Sequence, residues 1–399
     1  MALANTTTHY GAVARGLHWL TALLILTAIP LGLIANAIPL DSDAAVAQKT
    51  LLFSLHKTVG VAAFFVALAR ILWALIQPRP VPLHTERRAE TFVAGAVHWT
   101  LYVALVLVPL SGWLHHAATT GFAPIWWPFG QSLPFVPVDY RVAEFFAAWH
   151  WLFTKVLVAA ILLHIAGALK HAFVDRDATL TRMVSGRCDV EVHRHTESRA
   201  PVAAAVALWL VAMAGGTALG WPQDDAASGA AFDTPAASSQ WLVEDGTISI
   251  TVRQLGTDVT GSFADWIAAV DFDPGAGGAI KGNVEASIAI SSLTLGSVTA
   301  QAMGPDFFDA ASNPAATFSA VLTEHPEGDG YLALGTLALK GIEVPVELPF
   351  TFRPDGDIAI VRAETTLDRR DFGIGQGLDD ESSLGFAVGL VIELTALRL

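Results

Sequence analysis

Cysteine is nearly absent from this chain, because Cys188 is the single cysteine among its 399 residues. An internal disulfide is therefore excluded, and so is an iron–sulfur cluster, which needs several thiolate ligands. The chain also lacks a C-x-x-C-H segment and a G-x-G-x-x-G loop, which disfavours covalently attached haem and a dinucleotide-binding domain. Any haem would have to be b-type, held by axial side chains and packing alone.

Basic residues are scarce in the second part of the chain. Residues 1–221 carry a formal net charge of +4, whereas residues 222–399 carry −18. Such a break indicates a domain boundary, with the acidic part exposed to water. It also argues against a nucleic-acid partner, since nucleic-acid binding requires a basic surface.

Long apolar runs are abundant in the first part of the chain. Five of them have the length that crosses a bilayer, at about 17–37, 51–76, 91–114, 146–171 and 201–220. Arg15 precedes the first run, and further arginines concentrate in the segments that follow the second and fourth runs. By the positive-inside rule, the amino terminus lies in the cytoplasm and the segment after residue 220 lies outside.

Two histidines, His150 and His164, lie in the fourth run. In a helix they are separated by about 21 Å along the axis and by only about 40° around it, so both imidazoles face one side of a bundle. An imidazole at membrane depth needs a polar partner, and intramembrane histidines therefore favour a functional site. The alternative is a pair of core histidines that hydrogen-bond to neighbouring helices.

Two further histidines match these two in depth. His18 opens the first run on the cytoplasmic side, and His56 opens the second run on the outer side. Depth therefore pairs His18 with His164 and His56 with His150, and each pair joins two helices. We predict two haem b groups, each clamped by one pair in the bundle core.

Four other polar residues in or beside these runs have open roles. Arg70 and His171 are candidates to contact haem propionates; otherwise Arg70 snorkels to the interface and His171 is a surface residue. Lys155 either snorkels or delivers protons. His98 either is a core histidine or serves a haem or quinone site.

Residues 8–187 resemble the bacterial cytochrome b561 family in five segments: Arg15-x-x-His18-Trp19, Leu55-His56-Lys57-x-x-Gly60, Pro109-x-Ser111-Gly112, Trp149-His150 and Leu163-His164-x-x-x-Ala168. The resemblance implies a four-helix, di-haem b protein of the bacterial inner membrane that exchanges electrons with quinone. One branch of that family is similar to superoxide:ubiquinone oxidoreductases. The resemblance also carries the role of axial haem ligand onto His18, His56, His150 and His164.

The fifth apolar run, within residues 200–220, contains no histidine and no charge. This composition predicts a tether helix that places the following domain outside the membrane. Residues 221–240 are rich in Ala, Ser, Asp and Pro, which predicts a flexible linker. Because the fifth run also has features of a signal peptide, cleavage that frees the following domain stays open as an alternative.

From Trp241 onward, polar and apolar residues alternate, as in residues 247–252, and turn pairs such as Asp245-Gly246 and Asp355-Gly356 punctuate the pattern. Short alternating strands without a helical run predict an antiparallel barrel or sandwich over residues 241–399. The alternative to a ligand-binding barrel is an adhesive or capping β-domain with a filled core.

Three segments of this part resemble the YceI-like family: Phe307-Phe308-Asp309-Ala310 with Asn313-Pro314-x-x-x-Phe318, Gly335-x-Leu337-x-Leu339-Lys340-Gly341 with Val344-Pro345-Val346, and Arg370-Asp371-Phe372-Gly373-Ile374-Gly375. The resemblance implies a lipocalin-like barrel that holds a long isoprenoid chain, such as a polyprenyl quinone, in an apolar tunnel. Phe308, Phe318 and Phe372 are candidates to line that tunnel, and a purely structural core role is the alternative.

Together these features predict a multi-domain protein of the bacterial inner membrane: an α-helical transmembrane four-helix haem bundle with one tether helix, followed by a periplasmic lipocalin-like β-barrel. The predicted function is electron transfer between a quinone pool and either quinol or a periplasmic donor such as superoxide. Two alternatives stay open, namely an isoprenoid carrier with structural haem and a haem subunit of a larger dehydrogenase. The lipid bilayer and an isoprenoid quinone are expected partners, and a homodimer stays open because related cytochromes pair.

Overall fold

The computed structural model describes residues 2–119, 122–126, 130–186, 198–218, 240–326 and 330–398. The chain separates into two compact units, one containing the long helices and the other containing the strands. Cys188 and residues 221–239 of the predicted linker lie outside the described residues.

Six α-helices are described before the strands. Their bounds are Ala12–Ala37 (α1), Asp43–Ile76 (α2), Arg88–Ala117 (α3), Tyr140–Leu169 (α4), Thr179–Val184 (α5) and Ala200–Ala218 (α6). All but the short α5 are long and apolar enough to cross a membrane, so each of the five apolar runs forms the long helix that was predicted. The first three helices begin several residues before their apolar runs.

Local signals fix both ends of α4. Asp139 is extended, and its carboxylate accepts hydrogen bonds from the backbone N–H groups of Arg141 (2.8 Å) and Val142 (3.2 Å), so it caps the helix. At the other end, residues Lys170–Asp175 form a π-helical turn, and Arg176 follows in the left-handed conformation with φ 55°. A left-handed residue ends a helix by turning the chain away from its axis.

The fifth long helix, α6, packs closely against its neighbours. Trp209 is buried in a cluster with side chains of α3 and α4, and its ring meets Phe153 edge-on, with 5.4 Å between ring centres. A side-chain carbon at Gly216 would fall 3.1 Å from Leu152, so this glycine permits a close approach to α4. Small residues at such contacts are typical of membrane helix packing. The predicted tether is thus also a packed member of the bundle.

Ten strands form the second unit. Their bounds are Trp241–Gln254 (β1), Thr257–Phe263 (β2), Trp266–Phe272 (β3), Ile280–Ala289 (β4), Leu293–Thr294 (β5), Ala315–Glu324 (β6), Tyr331–Leu339 (β7), Ile342–Asp355 (β8), Ile358–Asp368 (β9) and Leu384–Arg398 (β10). Eight of them close an antiparallel barrel in the order β1-β3-β4-β6-β7-β8-β9-β10, because β10 pairs with β1. The predicted antiparallel barrel is confirmed. β2 and β5 extend the sheet beside β1.

The two ends of the barrel are filled differently. At one end, five aromatic rings pack together, and the indole N–H of Trp241 donates to the carbonyl of Phe272 at 2.8 Å; the others are Tyr331, Phe350 and Phe352. At the other end, residues 290–314 and 369–383 cover the barrel. The first of these two segments, called the covering segment below, contains a four-residue helix, Thr299–Ala302 (α7).

Candidate functional site

The helices bring histidines together at both ends of the bundle. At the first end, where α1 and α3 begin, the rings of His18 and His164 lie with 6.0 Å between their centres and 56° between their planes. At the second end, where α2 and α4 begin, the rings of His56 and His150 are 6.3 Å apart. These are the two pairs that depth along the sequence predicts, and their role as ligands stays a prediction.

Backbone carbonyls orient both histidines at the second end. His56 Nδ1 lies 2.8 Å from the carbonyl oxygen of Ala28 in α1, and His150 Nδ1 lies 2.8 Å from that of Val108 in α3. A carbonyl oxygen can only accept, so each Nδ1 carries the proton and donates it. Each neutral ring is then left with a lone pair on Nε2, which is the form in which histidine binds a metal ion.

Two glycines make room for these same rings. Gly32 in α1 and Gly112 in α3 each follow the accepting carbonyl by four residues, which is about one helical turn. A side-chain carbon at Gly32 would lie 2.8 Å from His56 Cε1, and one at Gly112 would lie 3.0 Å from His150 Cε1. Therefore α1 and α3 hold their histidines with the same arrangement of carbonyl and glycine.

The spacing of both pairs fits a metal ion bound between two imidazoles. With a metal–nitrogen distance of about 2 Å on each side and about 1.2 Å from nitrogen to ring centre, the centres should lie about 6 Å apart. The observed separations of 6.0 and 6.3 Å agree with this value. Histidines from facing helices are the ligands that b-type haem takes in helical bundles, so the residues present fit haem.

Arg70 and His98 complete the surroundings of the first pair. Arg70 Nη2 lies 3.1 Å from His18 Nδ1, and its guanidinium lies over the ring of Tyr102, 5.6 Å from the ring centre. His98 meets His164 edge-on, with 5.0 Å between ring centres. The first end thus combines a cation with a third histidine, whereas backbone carbonyls orient both imidazoles at the second end.

His171 belongs to a charged cluster beyond the end of α4. Its Nδ1 lies 2.6 Å from Asp177 Oδ2, and the same oxygen lies 3.1 Å from Nε2 of His84, whose ring is stacked nearly parallel to that of His171. Burial tends to raise the pKa of the Asp177 carboxyl, but hydrogen bonds from Thr179 and His171 outweigh it and hold this pKa below its usual range. The Nδ1 atom of His171 is therefore engaged by a carboxylate.

Lys155 lies on an exposed side of α4, away from both histidine pairs. Its Nζ is 4.8 Å from the centre of the Trp151 ring, one helical turn earlier. Both side chains are exposed in the helical unit. This contact is a cation–π interaction on a surface that faces lipid in a membrane.

An apolar cavity occupies the barrel between its aromatic end and its covered end. The three phenylalanines singled out by the sequence, Phe308, Phe318 and Phe372, all line this cavity. Aliphatic side chains of the strands form much of the remaining wall, among them Ile248, Ile250, Ile288, Leu337, Leu348 and Leu390. The polar side chains on the wall are Gln254, Gln301 and Arg369.

Arg369 is a structural residue of the covered end. It is 3% exposed, and burial lowers the pKa of its guanidinium. All five of its N–H groups donate to backbone carbonyls, namely those of Gly385, Ile374, Gly375, Leu378 and Leu384. The side chain thereby ties together the segment between β9 and β10. The third YceI-like segment of the sequence begins one residue later, at Arg370, so Arg369 was not identified from the sequence.

A helical bundle with paired histidines at membrane depth has the architecture of a membrane cytochrome, and a closed barrel around an apolar cavity has that of a lipocalin-like domain. The family model for prokaryotic cytochrome b561 matches residues 9–186, and the model for the YceI-like domain matches residues 240–396. The chain belongs to the cytochrome b561 family and carries a YceI-like domain after its helices. It is therefore a bacterial membrane protein, and its family implies haem b.

Relatives of the two parts are found separately. The chain is 32% identical over 190 residues to cytochrome b561 homolog 2 of Escherichia coli, covering 46% of this chain and 95% of that protein. It is 27% identical over 176 residues to a probable superoxide oxidase, CybB, of Yersinia pestis, covering 44% of this chain and 95% of that protein.

Solved structures similar to the barrel include Burkholderia cenocepacia BcnA, with 28% identity, a TM-score of 0.35, and coverage of 38% of this chain and 95% of that chain. Another is a polyisoprenoid binding domain from Saccharophagus degradans, with 14% identity, a TM-score of 0.31, and coverage of 40% and 99%.

Proposed function

We propose that the helical unit holds two b haems, one between His18 and His164 and one between His56 and His150, and carries electrons across the membrane. The observation that supports this assignment is the separation of the two pairs of rings, 6.0 and 6.3 Å, at opposite ends of α4. Bound haem supplies one-electron transfer. The four imidazoles are proposed to fix the position of each haem along the membrane normal.

Residues around the two pairs would orient the ligands. At the second end, the carbonyls of Ala28 and Val108 accept the Nδ1 protons of His56 and His150, so that each Nε2 keeps the lone pair that would bind haem iron. Such hydrogen bonds fix the tautomer and raise the basicity of the ligating nitrogen. At the first end, Arg70 is proposed to turn from His18 to a haem propionate, because its guanidinium can only donate and would otherwise occupy the lone pair of His18 Nδ1 and leave the ring proton on Nε2.

The charge pattern supports one orientation in the membrane. Segments near the first end carry Arg15, Arg87 and Arg176, so the first end is proposed to face the cytoplasm and the second end the periplasm. The barrel follows α6, which begins at the first end, and is therefore proposed to be periplasmic.

We propose that the electrons come from a periplasmic donor, with superoxide as the leading candidate, and reach a quinone pool; quinol oxidation is the reverse sense. One relative of the helical part is named a probable superoxide oxidase. The barrel is proposed to bind a polyprenyl quinone or a related isoprenoid, because its cavity wall is almost entirely aliphatic and aromatic. A wall of this kind suits a long hydrocarbon chain.

Haem content tests the ligand assignment. The purified wild type should contain two low-spin b haems per chain, His164→Ala should lose the haem of the first end, and His56→Ala that of the second. His115→Ala is the matched control, because its Nδ1 likewise lies 2.8 Å from a backbone carbonyl, that of Ala143, but its ring meets that of the adjacent His116 in the same helix rather than a histidine of a facing helix. The control should retain both haems. A His164→Ala or His56→Ala protein with full haem content would contradict the assignment.

Turnover assays separate the proposal from its alternatives. Reduction of the haems by superoxide, followed by their oxidation by added quinone, is the expected behaviour of the wild type. Bound isoprenoid without quinone-dependent haem oxidation would favour a lipid carrier with structural haem. Stable co-purification with a dehydrogenase would favour a haem subunit of a larger complex.

A further inference from the structure

We propose that the barrel selects isoprenoids whose head group is uncharged and bears a hydroxyl, and that Gln254 is the residue that recognises it. This inference rests on the proposed function, because it assumes that the cavity holds an isoprenoid chain. Beyond isoprenoid binding, it specifies the chemistry of the head group and the residue that recognises it.

The polar side chains of the cavity lie at its covered end. Gln254 is the last residue of β1, and it pairs in register with Leu384 at the beginning of β10. The carbonyl of Leu384 accepts a hydrogen bond from Arg369 Nη2 at 3.1 Å, which places Gln254 and Arg369 in the same region. Gln301 belongs to α7 in the covering segment. A head group would therefore lie at this end, with its chain running between the apolar strands.

A charged head group does not suit this end of the cavity. Arg369 is the one charged side chain among the described residues of the cavity wall. Its five N–H groups all donate to backbone carbonyls, so they offer no hydrogen bond to a phosphate. Burying a diphosphate without paired donors is strongly unfavourable. The ligand should therefore carry no phosphate.

Gln254 supplies an acceptor that a hydroxyl would satisfy. Its Oε1 atom is buried and has no hydrogen-bond partner within the described part of the chain. An unsatisfied buried acceptor destabilises a structure, and a ligand that donates to it removes that penalty on binding. A quinol, a phenol or a polyprenol has such a donor, whereas a quinone or an ether offers only acceptors.

Photoreactive isoprenoids with one common tail test the proposal on the full-length protein in detergent. The probes carry a diazirine in the tail and differ only in the head group: a free hydroxyl, its methyl ether, or a diphosphate. Mass spectrometry of labelled peptides restricts the readout to residues 241–398 and so separates the barrel from the helices. A quinol and the corresponding quinone, compared under argon with excess reductant or oxidant, form a second pair of probes.

In the wild type, the hydroxyl probe should label the barrel at about tenfold lower concentration than its methyl ether, the difference expected for one buried hydrogen bond. The quinol should exceed the quinone by a similar factor, and comparing quinol with polyprenol shows which hydroxylated head group is preferred. In Gln254→Leu, hydroxyl and ether should label equally. Gln376→Leu, the same change at an exposed position of the barrel unit, should keep the wild-type preference.

The labelling results distinguish failure of the head-group inference from failure of the proposed isoprenoid binding. Equal labelling by hydroxyl and ether in the wild type, a preference for the diphosphate or the quinone, or a preference that survives Gln254→Leu would each overturn the head-group inference. In those cases the barrel would still bind isoprenoid chains. Absence of barrel labelling by every probe would instead overturn the proposed isoprenoid function itself. The comparison of probes on the wild type does not depend on how any variant folds.

Discussion

Replacing Gly32 with alanine should remove the haem proposed at the second end while leaving the first end intact. The new methyl carbon would lie 2.8 Å from Cε1 and 2.9 Å from Nδ1 of His56. Ordinary contacts between carbon atoms are about 3.5–4.0 Å, so the imidazole must move by about 0.7–1.2 Å. The donor of the hydrogen bond to Ala28 lies on the side of the ring that is pushed.

The size of this displacement decides the outcome. Metal–ligand distances tolerate deviations of only about 0.2 Å, so a shift of about 0.7 Å takes His56 out of bonding range unless the backbone gives way. Loss of the hydrogen bond that orients a ligating histidine alone lowers affinity by about 10- to 100-fold. We therefore expect Gly32→Ala protein to contain close to one haem per chain.

Haem per chain and a redox titration of the purified protein measure the effect. Gly215→Ala is the control, because an added carbon there meets no atom within 4 Å, and it should retain two haems. Gly112→Ala should weaken the same haem from the other side, and less strongly, since its contact with His150 is 3.0 Å rather than 2.8 Å. A Gly32→Ala protein with two haems and unchanged potentials would refute the proposed geometry of the second end.

Three further predictions concern stability. Asp177→Asn should lower the free energy of unfolding by about 1–3 kcal/mol at neutral pH by weakening the hydrogen bond with His171. Because the pKa of Asp177 is lower in the folded protein, this difference should vanish as the pH falls through that value, which thermal melts at several pH values would show. Trp209→Ala should destabilise the helical unit by about 3–5 kcal/mol, whereas Leu210→Ala, at a position 62% exposed, should have little effect in the same thermal assay. Arg369→Met should destabilise the barrel by about 3 kcal/mol or more in urea unfolding, because five carbonyls lose their donor.

The architecture was predictable because it depends on patterns that extend over many residues. Apolar runs of membrane length gave the five spans, and alternation after Trp241 gave the antiparallel barrel. The pairing of His18 with His164 and of His56 with His150 followed from depth, since membrane thickness limits the partners that each histidine can reach. Neither inference required knowledge of side-chain packing.

The finer features of the sites were not predictable in the same way. Gly32 and the carbonyl of Ala28 contact His56 only because two helices approach at one rotation about their axes, which no periodicity in the sequence specifies. Gln254 was likewise missed, because an isolated polar residue at the end of a strand resembles any solvent-exposed strand end. Its proposed role rests on a side-chain oxygen that has no hydrogen-bond partner among the described residues, which only a structure reveals.

The contacts around the histidines also show how the two ends are assembled. The helices form two hairpins, α1 with α2 and α3 with α4. In the first hairpin, α1 orients His56 of α2, and Arg70 of α2 contacts His18 of α1. In the second hairpin, α3 orients His150 of α4, and His98 of α3 packs on His164 of α4. These orienting contacts stay within a hairpin, whereas the two histidine pairs join one hairpin to the other.

Each hairpin can therefore set the direction of its own imidazoles before the hairpins meet. A haem bound between the two histidines of each pair would then link the two preorganised hairpins, because each haem iron would take one ligand from each hairpin. Loss of haem should accordingly loosen the association of the hairpins more than it unfolds the helices. The same carbonyl-and-glycine arrangement occurs once in α1 and once in α3, so each half has its own means of holding one proposed ligand.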